Sequence, residues 1–391
     1  MSNEAKREYL DAIRERYRVA SKPTKRIILD EFCSTCGYHR KYAIRLLNAR
    51  PNVQSERHRQ RPGRRPKYQD PALRDALVFL WKAGNLPCGK RLKAMIPLWL
   101  PYYPKPLKDE VKHLLMTIAA ATIDRLLRPL RSRYSKYGLA TTKPGSLIKK
   151  HIPIKTNQWD ERIPGFLEAD TVAHCGSSTA GVYALTVNMV DIATGWTEQR
   201  AIWGKGEAGV VEAAISIEEA LPFSLRGFDS DNGGEFINWP LLKHFTERSR
   251  PVQYTRSREY KKNDNAHIEG KNWTIVRQYL GYERFDDPKI VPLMNDLYTT
   301  EWRLLLNFFM PSMKLMEKHR VKSKIIKRHD KPKTPLARVL ASKHVAPNTK
   351  RQLNLLNEQL NPFDLQRTVT TKIKHILKLA RATSPPVPKA S

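Results

Sequence analysis

The spacing of hydrophobic residues changes at Phe166, and this change constrains the fold more than any other feature of the chain. Before it, apolar residues recur every three or four positions, as they do in amphipathic helices. After it come three short strand-like runs, then a helix (207–221), a strand (224–230), a helix (236–246) and a strand (252–255). Three antiparallel strands followed by alternating helices and strands predict an α/β domain with a mixed five-stranded sheet.

The chain carries a large positive charge, because 70 Lys and Arg residues stand against 38 Asp and Glu, a net charge of +32. An excess of this size repels itself in a compact particle unless a polyanion screens it. We find no basic amphipathic helix with an aromatic-rich apolar face, which argues against a membrane surface. We therefore expect double-stranded DNA as the partner.

The cysteines offer an incomplete metal pattern. Cys33-x-x-Cys36 followed by His39 suggests half of a zinc site, but no second Cys/His pair at ligand spacing completes it. We interpret these two thiols as buried on a helix. Few cysteines, no signal peptide and no apolar run near 18 residues together predict a protein of a reducing, cytosolic (cytoplasmic) compartment.

Residues 1–50 predict a helix-turn-helix DNA-binding domain. Gly37 interrupts a helical pattern, which resumes in a basic helix that would enter the major groove. The alternative is an ordinary three-helix bundle with a solvated basic face. On the second helix we predict that Tyr42, Ile44, Leu46 and Leu47 face inward and that Arg40, Lys41 and Arg45 contact DNA.

A basic linker is predicted at 51–68. Its Arg-Pro-Gly-Arg-Arg-Pro core loosely resembles an AT-hook, and its Arg61, Arg64 and Arg65 would then lie in a minor groove. A solvated tether with diffuse phosphate contacts fits the same residues equally well.

Helical spacing returns in residues 69–132, which predict a second helix-turn-helix DNA-binding domain with Arg125 and Arg128 pointing outward. Two such units in tandem would recognise a longer DNA site than one alone. The remaining predicted segments are a basic linker at 133–158, the α/β domain at 159–310 and a basic C-terminal region at 311–391.

Three acidic residues of the α/β domain occupy positions that suit a metal site. Asp170 lies within the first strand, Asp231 ends the fourth, and Glu269 lies on a helix predicted for 263–280. Carboxylate oxygens are the ligands that hard divalent cations prefer, and two such ions about 3.5–4 Å apart stabilise phosphodiester transfer. The pattern predicts two Mg²⁺ (or Mn²⁺) ions held by Asp170, Asp231 and Glu269.

Each of these acids has a neighbour that could replace it. Side chains two residues apart on a strand point the same way, so Glu168 and Asp229 remain alternatives on the two strands. Asp231 is preferred to Asp229 because the Asn-Gly-Gly turn at 232–234 lets backbone approach a ligand. Asp264 is a further candidate, although it fits the N-terminal cap of its helix better.

Two acidic strings resemble motifs of a known family. Ser230-Asp-Asn-Gly-Gly-Glu-Phe is similar to the second-carboxylate motif of the retroviral-integrase family of DDE transposases, and Asn265-Ala-His-Ile-Glu-Gly-Lys-Asn resembles its third. Asp170 matches the first. The resemblance covers about residues 160–310 and implies a ribonuclease-H-like fold. The integrase N-terminal zinc module, with its paired His and paired Cys, is absent.

The resemblance implies a DNA transposase of the bacterial insertion-sequence type. Such an enzyme binds the terminal inverted repeats of its mobile element, cleaves the 3′ ends and joins them to target DNA, as at least a dimer. Two alternatives stay open: a domesticated transposase acting as a DNA-binding regulator, and a structure-selective nuclease. Whether a helper ATPase takes part also stays open.

Further DNA contacts are expected around the three acids. Trp273 follows Glu269 by one helical turn and is expected in the core rather than as a stacking platform for a base. Asn272 and Arg277 lie on the same helix at positions that the family also uses. The residues predicted to contact DNA here are Lys261, Lys262, Lys271, Asn272 and Arg277.

Overall fold

The structure, a computed structural model, describes residues 1–49, 67–131, 161–230, 233, 235–256, 271–321 and 324–383. It divides into two compact units, Met1–Lys67 and Tyr68–Ser391.

The first unit is a bundle of three helices, α1 (Asn3–Val19), α2 (Lys22–Cys36) and α3 (Arg40–Asn48). Gly37 ends α2 in the left-handed conformation with φ of 67°, which a glycine adopts without steric cost. The core of the bundle comprises Leu10, Ile13, Tyr17, Ile28, Leu29, Phe32, Cys36, Ala43 and Leu47.

The buried side of α3 differs from the one predicted. Tyr42 and Ile44 are 40% and 37% exposed, whereas Ala43 and Leu47 are fully buried. Residues four apart share one face of a helix, so this pair defines the inward face and the two predicted residues flank it. The prediction that Tyr42 and Ile44 face inward is therefore wrong.

In the second unit, four helices precede the sheet: α4 (Pro71–Ala83), α5 (Gly89–Trp99), α6 (Asp109–Thr117) and α7 (Ala120–Arg131). Their core continues into helices that follow the sheet, because Trp99 Nε1 donates a hydrogen bond to Phe309 O (3.0 Å). Arg91 Nε likewise donates to Pro311 O (2.7 Å). The sequence-based boundaries at 132/133 and 310/311 thus separate stretches that share one core.

The sheet has the strand order β3-β2-β1-β4-β5. β1 pairs antiparallel with β2 and parallel with β4, β2 pairs antiparallel with β3, and β4 pairs parallel with β5. The mixed five-stranded sheet predicted from the sequence is confirmed. Its strands are β1 (Phe166–Ala173), β2 (Ala184–Asp191), β3 (Thr197–Trp203), β4 (Gly227–Ser230) and β5 (Gln253–Arg256).

Helices cover both faces of the sheet. α8 (Glu207–Ala220) and α9 (Trp239–Thr246) pack on the face that carries Leu167, Val187 and Phe228. The opposite face contacts two helices with π-helical stretches. α10 comprises Asn272–Arg277 and Gln278–Leu280; α11 begins at Ile290–Leu297 and continues through Tyr298–Trp302 and Leu305–Phe309.

Two asparagines of α11 complete the backbone pairing of β3, an edge strand. Asn295 accepts from Ala201 N (2.7 Å) and donates to Ala201 O (2.9 Å). Asn307 does the same with Thr197, at 2.9 and 2.8 Å. These amides occupy backbone groups that an exposed edge strand would offer to another chain.

The C-terminal region adds a hairpin and three helices, β6 (Leu315–Val321), β7 (Lys324–His329), α12 (Pro335–Ala341), α13 (Pro347–Glu358) and α14 (Pro362–Thr383). α14 packs along α11. Within the described ranges, no helix is both long and apolar enough to cross a membrane.

Candidate active site

Asp170 lies within β1 and is the partly exposed position of that strand, whose other seven residues are buried. Its Cα partner on β2 is Asn188. One residue earlier, Ala169 pairs with Ser230, the last residue of the parallel strand β4. The carboxyl end of β4 therefore meets β1 beside Asp170.

A chain of side-chain amides leads across the sheet to Asp170. Gln199 Nε2 donates to Asn188 Oδ1 (3.1 Å), and Asn188 Nδ2 donates to Asn272 Oδ1 (2.7 Å). Asn272 Nδ2 donates to Asp170 Oδ2 (2.6 Å). An ionised carboxylate only accepts, so Asn272 must donate, and this fixes the orientation of the other two amides in turn.

The alternative carboxylates on the same face are more deeply buried. Glu168 and Asp229 are Cα partners across β1 and β4, and each is only 1% exposed. Thr255 Oγ1 donates to Asp229 Oδ1 (2.6 Å). Because a ligand in solvent reaches Asp170 more readily than either of these groups, accessibility favours Asp170 over Glu168.

Glu235, a residue that the sequence analysis did not single out, connects the second acidic string to β1. Thr171 Oγ1 donates to Glu235 Oε1 (2.8 Å), and Glu235 is 7% exposed. Asn238 Nδ2 then donates to Glu235 O (2.7 Å). The sequence signals that mark Glu235 are its position directly after two glycines and its place in the string Ser230-Asp-Asn-Gly-Gly-Glu-Phe.

Several predicted site residues lie outside the described residues. Asp231 follows Ser230 directly in the sequence, and Glu269 precedes Lys271 by two residues. The described residues include no cluster of three His, Cys, Asp or Glu side chains that could hold a metal ion. The predicted residues outside the description are Asp231, Glu269, Lys261, Lys262, Arg61, Arg64 and Arg65, together with the alternative Asp264.

Lys271 directs its ammonium group towards the turn between β2 and β3. Its Nζ donates to Gly195 O and to Thr197 Oγ1. Burial, followed by the positive charges of Arg338 and Arg91, lowers the pKa of Lys271 to about 7. Lys271 therefore ties α10 to the sheet next to Asn272.

Arg277 lies one turn further along α10 and contacts the end of β1. Its Nη2 donates to Ala173 O (2.6 Å), and its guanidinium lies 4.9 Å from the centre of the Tyr282 ring. Burial lowers the pKa of Arg277. The predicted contacts Asn272 and Arg277 are thus both placed along the Asp170 side of β1.

Trp273 is 46% exposed, so the prediction that it belongs to the core is wrong. In a regular α-helix it would share a face with the buried Val276 and Leu280, three and seven residues later. The stretch Asn272–Arg277 is wound as a π-helix, which changes the angle between successive side chains. That winding turns the indole out of the core.

The basic residues predicted to contact DNA from the helical segments are exposed. The Arg45 guanidinium lies 5.0 Å from the centre of the Tyr42 ring, and Arg40 forms an ion pair with Asp30. This exposed set comprises Arg40, Lys41, Arg45, Arg125 and Arg128.

The fold and the site define an α/β protein with a carboxylate held beside the parallel strands of a mixed sheet. No protein-family model matches the chain. It is 39% identical over 340 residues to "Uncharacterized protein y4rM" of Sinorhizobium fredii (strain NBRC 101917 / NGR234), covering 85% of this chain and 94% of that protein. The chain therefore belongs to the same family as y4rM.

Among solved structures, the chain is similar to retroviral integrases. The simian T-cell lymphotropic virus intasome in complex with PP2A regulatory subunit B56 gamma matches 54% of this chain and 68% of its own, with 13% identity and a TM-score of 0.30. The HTLV-2 integrase catalytic core domain in complex with magnesium matches 38% and 91%, with 14% identity and a TM-score of 0.28. The BIV integrase core matches 36% and 82%, with 13% identity and a TM-score of 0.25. Likenesses with scores this low do not assign an activity.

Proposed function

We propose that this chain is a DNA transposase that binds the terminal inverted repeats of its mobile element, cleaves the 3′ ends and transfers them into target DNA. The observation that carries the proposal is a convergence at Asp170. β4 ends at Ser230 beside β1, and Asn272 binds the Asp170 carboxylate. In the sequence, Asp231 directly follows Ser230, and Asn272 follows Glu269 by three residues. The flanks of the other two acidic motifs therefore approach the first.

The chemistry of Asp170 fits a divalent metal ion. It is a carboxylate, it is partly exposed, and the Asn272 amide donates a hydrogen bond to it. Together with Asp231 and Glu269 it would hold two Mg²⁺ (or Mn²⁺) ions. When bound, such ions activate the attacking hydroxyl and neutralise charge at the phosphodiester.

The chain's own residues would hold the DNA against this site. Phosphates near the centre would be contacted by Lys261, Lys262, Lys271 and Arg277, while Asn272 orients the Asp170 carboxylate. End recognition would use the exposed basic residues of the helical segments, which are predicted helix-turn-helix units, with the arginines of the linker between them. Pairing of two element ends requires at least a dimer.

The test is a strand-transfer assay on a labelled terminal-repeat duplex with Mg²⁺ or Mn²⁺. We expect joined products from the wild type and none from Asp170→Asn, Asp231→Asn or Glu269→Gln, with duplex binding retained. These substitutions keep the side-chain shape but remove the charge that the metal ions require. Asp109→Asn and Glu207→Gln, both at exposed positions, provide matched controls that should join DNA normally.

Each alternative result of this assay indicates a different site or a different function. Joining by the Asp231 and Glu269 variants would move the site to Asp229 or Asp264. Cleaved but unjoined ends from the wild type would identify a nuclease. Specific binding without cleavage by the wild type would contradict the enzyme and identify a DNA-binding regulator.

A further inference from the structure

A cavity of about 300 Å³ lies between α5, the turn that joins β2 to β3, α10 and the start of β6. Lys271 lines it and directly precedes Asn272, whose side chain binds Asp170. The cavity therefore begins one residue away from the candidate active site, on the same face of the sheet.

The exposed Lys327 of β7 lines this cavity. So do three partly buried basic side chains from other elements: Arg91 from α5, Lys271 before α10 and Lys314 before β6. Each is anchored by a neutral oxygen. Arg91 Nε donates to Pro311 O, Lys314 Nζ donates to Ala193 O (2.8 Å), and Lys271 contacts the β2–β3 turn. Within the described part of the chain, none of the three lies within ion-pair distance of a carboxylate.

The acidic groups nearby are already engaged. Asp191, which also lines the cavity, accepts from Gly165 N (2.8 Å) and from Thr194 N (2.7 Å). Asp330 forms an ion pair with Arg338 (3.0 Å). Asp191 attracts Lys271 and Lys314 electrostatically. Among the described residues it forms no direct ion pair with Arg91, Lys271 or Lys314, and burying charged groups without a direct partner is costly.

Two further donors line the same cavity. Asn85 Nδ2 and Tyr279 Oη are buried and lie close to each other. The described residues supply the Tyr279 hydroxyl with no acceptor in good geometry. Asn85 and Leu86 also have positive φ angles, 57° and 60°, a conformation that costs energy in residues other than glycine. Such costs concentrate at ligand sites.

We propose that this cavity binds the phosphate group of a ligand through Arg91, Lys271 and Lys314. A phosphate supplies the negative charge and the acceptor oxygens that these side chains lack, and a guanidinium suits its geometry. The phosphate comes either from the backbone of DNA lying across Asp170 or from a free phosphate or small phosphorylated molecule. The site does not depend on the proposed strand transfer.

The test measures binding of inorganic phosphate to the full chain by calorimetry, against sodium chloride of matched ionic strength. We expect saturable binding by the wild type and about tenfold weaker binding by Arg91→Met, because one charge-assisted hydrogen-bonding group is lost. Arg91→Lys should restore part of the affinity. Lys93→Met removes a charge from an exposed position of the same helix and should bind as the wild type does.

Two further variants keep the test decisive if Arg91→Met does not fold or if the proposed strand transfer is not observed. Lys314→Met should weaken phosphate binding even if Arg91→Met does not fold. Asp170→Asn should bind phosphate normally, so that failure of the proposed chemistry is distinguished from failure of this site. No phosphate binding by the wild type beyond that of chloride, or equal binding by the Arg91, Lys314 and Lys93 variants, would overturn the proposal.

A competition experiment distinguishes the two sources of the phosphate. If the cavity holds DNA backbone, inorganic phosphate should displace a labelled duplex from the wild type at constant ionic strength, and Arg91→Met should be insensitive to it. If the ligand is a free phosphate, calorimetry should give the same affinity for DNA-saturated and DNA-free protein. Either result supports the site.

Discussion

The two faces of the central sheet differ in how many polar side chains they bury. One face presents Leu167, Val187 and Phe228 to α8 and α9 and buries an apolar core. The other face carries Asp170 with the amide chain from Asn188 and is covered by α10 and α11. Apolar burial accounts for the stability of the first face. The second buries amides and carboxylates, which are costly unless paired, so its composition indicates a function other than stability.

The largest effect on stability is expected on the apolar face. Phe228 is fully buried, with its ring centre 4.7 Å from that of Phe245 and 5.3 Å from that of Tyr254. Phe228→Ala should lower the free energy of unfolding by about 3–5 kcal/mol, because it leaves a cavity in a packed core. Urea denaturation measures the change. Ile215→Ala, at a 37% exposed position of α8, should change it by less than about 1 kcal/mol.

Strand transfer by the folded fraction of Phe228→Ala should match that of the wild type. Loss of activity without loss of stability would contradict the division of roles between the two faces.

On the polar face we expect a substitution to lower strand-transfer activity. Asn188→Leu removes the donor that orients Asn272 but keeps a side chain of similar size. We expect strand transfer to fall about 10-fold, the lower end of the cost of losing a hydrogen-bonding partner of a metal ligand, because Asn188 acts on Asp170 through Asn272. The metal concentration for half-maximal activity should rise, while duplex affinity stays near the wild-type value. The free energy of unfolding should fall by about 1–3 kcal/mol, because Gln199 and Asn272 each lose a buried hydrogen-bond partner.

Two further variants make this test more specific. Asn188→Asp keeps the shape but cannot donate to Asn272, so it should resemble the Leu variant. Met189→Leu alters the neighbouring residue on the apolar face and should leave the metal dependence unchanged. If Asn188→Leu has wild-type kinetics at every metal concentration, the amide chain has no role in positioning Asp170.

The sequence predicts the strands and the placement of the acidic residues better than it predicts the buried amides of the polar face. Alternation along β1 places Asp170 and Glu168 on one face, and the change of period predicts all five strands, because both depend on local spacing. The roles of Asn188 and Gln199 were missed. In sequence they look like residues of a solvated strand face, and only the packing of α10 and α11 buries them.

The other features that the sequence did not predict depend on contacts between residues that are far apart in the chain. The contact between Arg91 and Pro311 joins residues 220 positions apart, and no local pattern encodes it. The π-helical winding that exposes Trp273 likewise depends on how α10 packs, not on helix propensity.

The smallest expected effect concerns a buried histidine on the polar face. His174 Nε2 shares a hydrogen bond with Thr186 Oγ1 (2.8 Å), which in turn bonds to Tyr298 Oη (2.8 Å). Its ring stacks on Phe285, and its Nδ1 is buried without a hydrogen-bond partner among the described residues. Burial, followed by the charge of Arg277, lowers the pKa of His174 from 6.5 to about 3.

Between pH 6.5 and 3 the unfolded chain therefore binds a proton at His174 that the folded chain does not. The free energy of unfolding should fall as the pH drops through this range, by about 1.4 kcal/mol per pH unit at most. His174→Gln removes this proton, so urea denaturation at pH 6 and pH 5 should show a smaller loss than in the wild type. His113→Gln, at an exposed position, should keep the wild-type loss. Equal losses in all three proteins would mean that His174 is protonated in the folded state, and that the polar face tolerates a buried charge there.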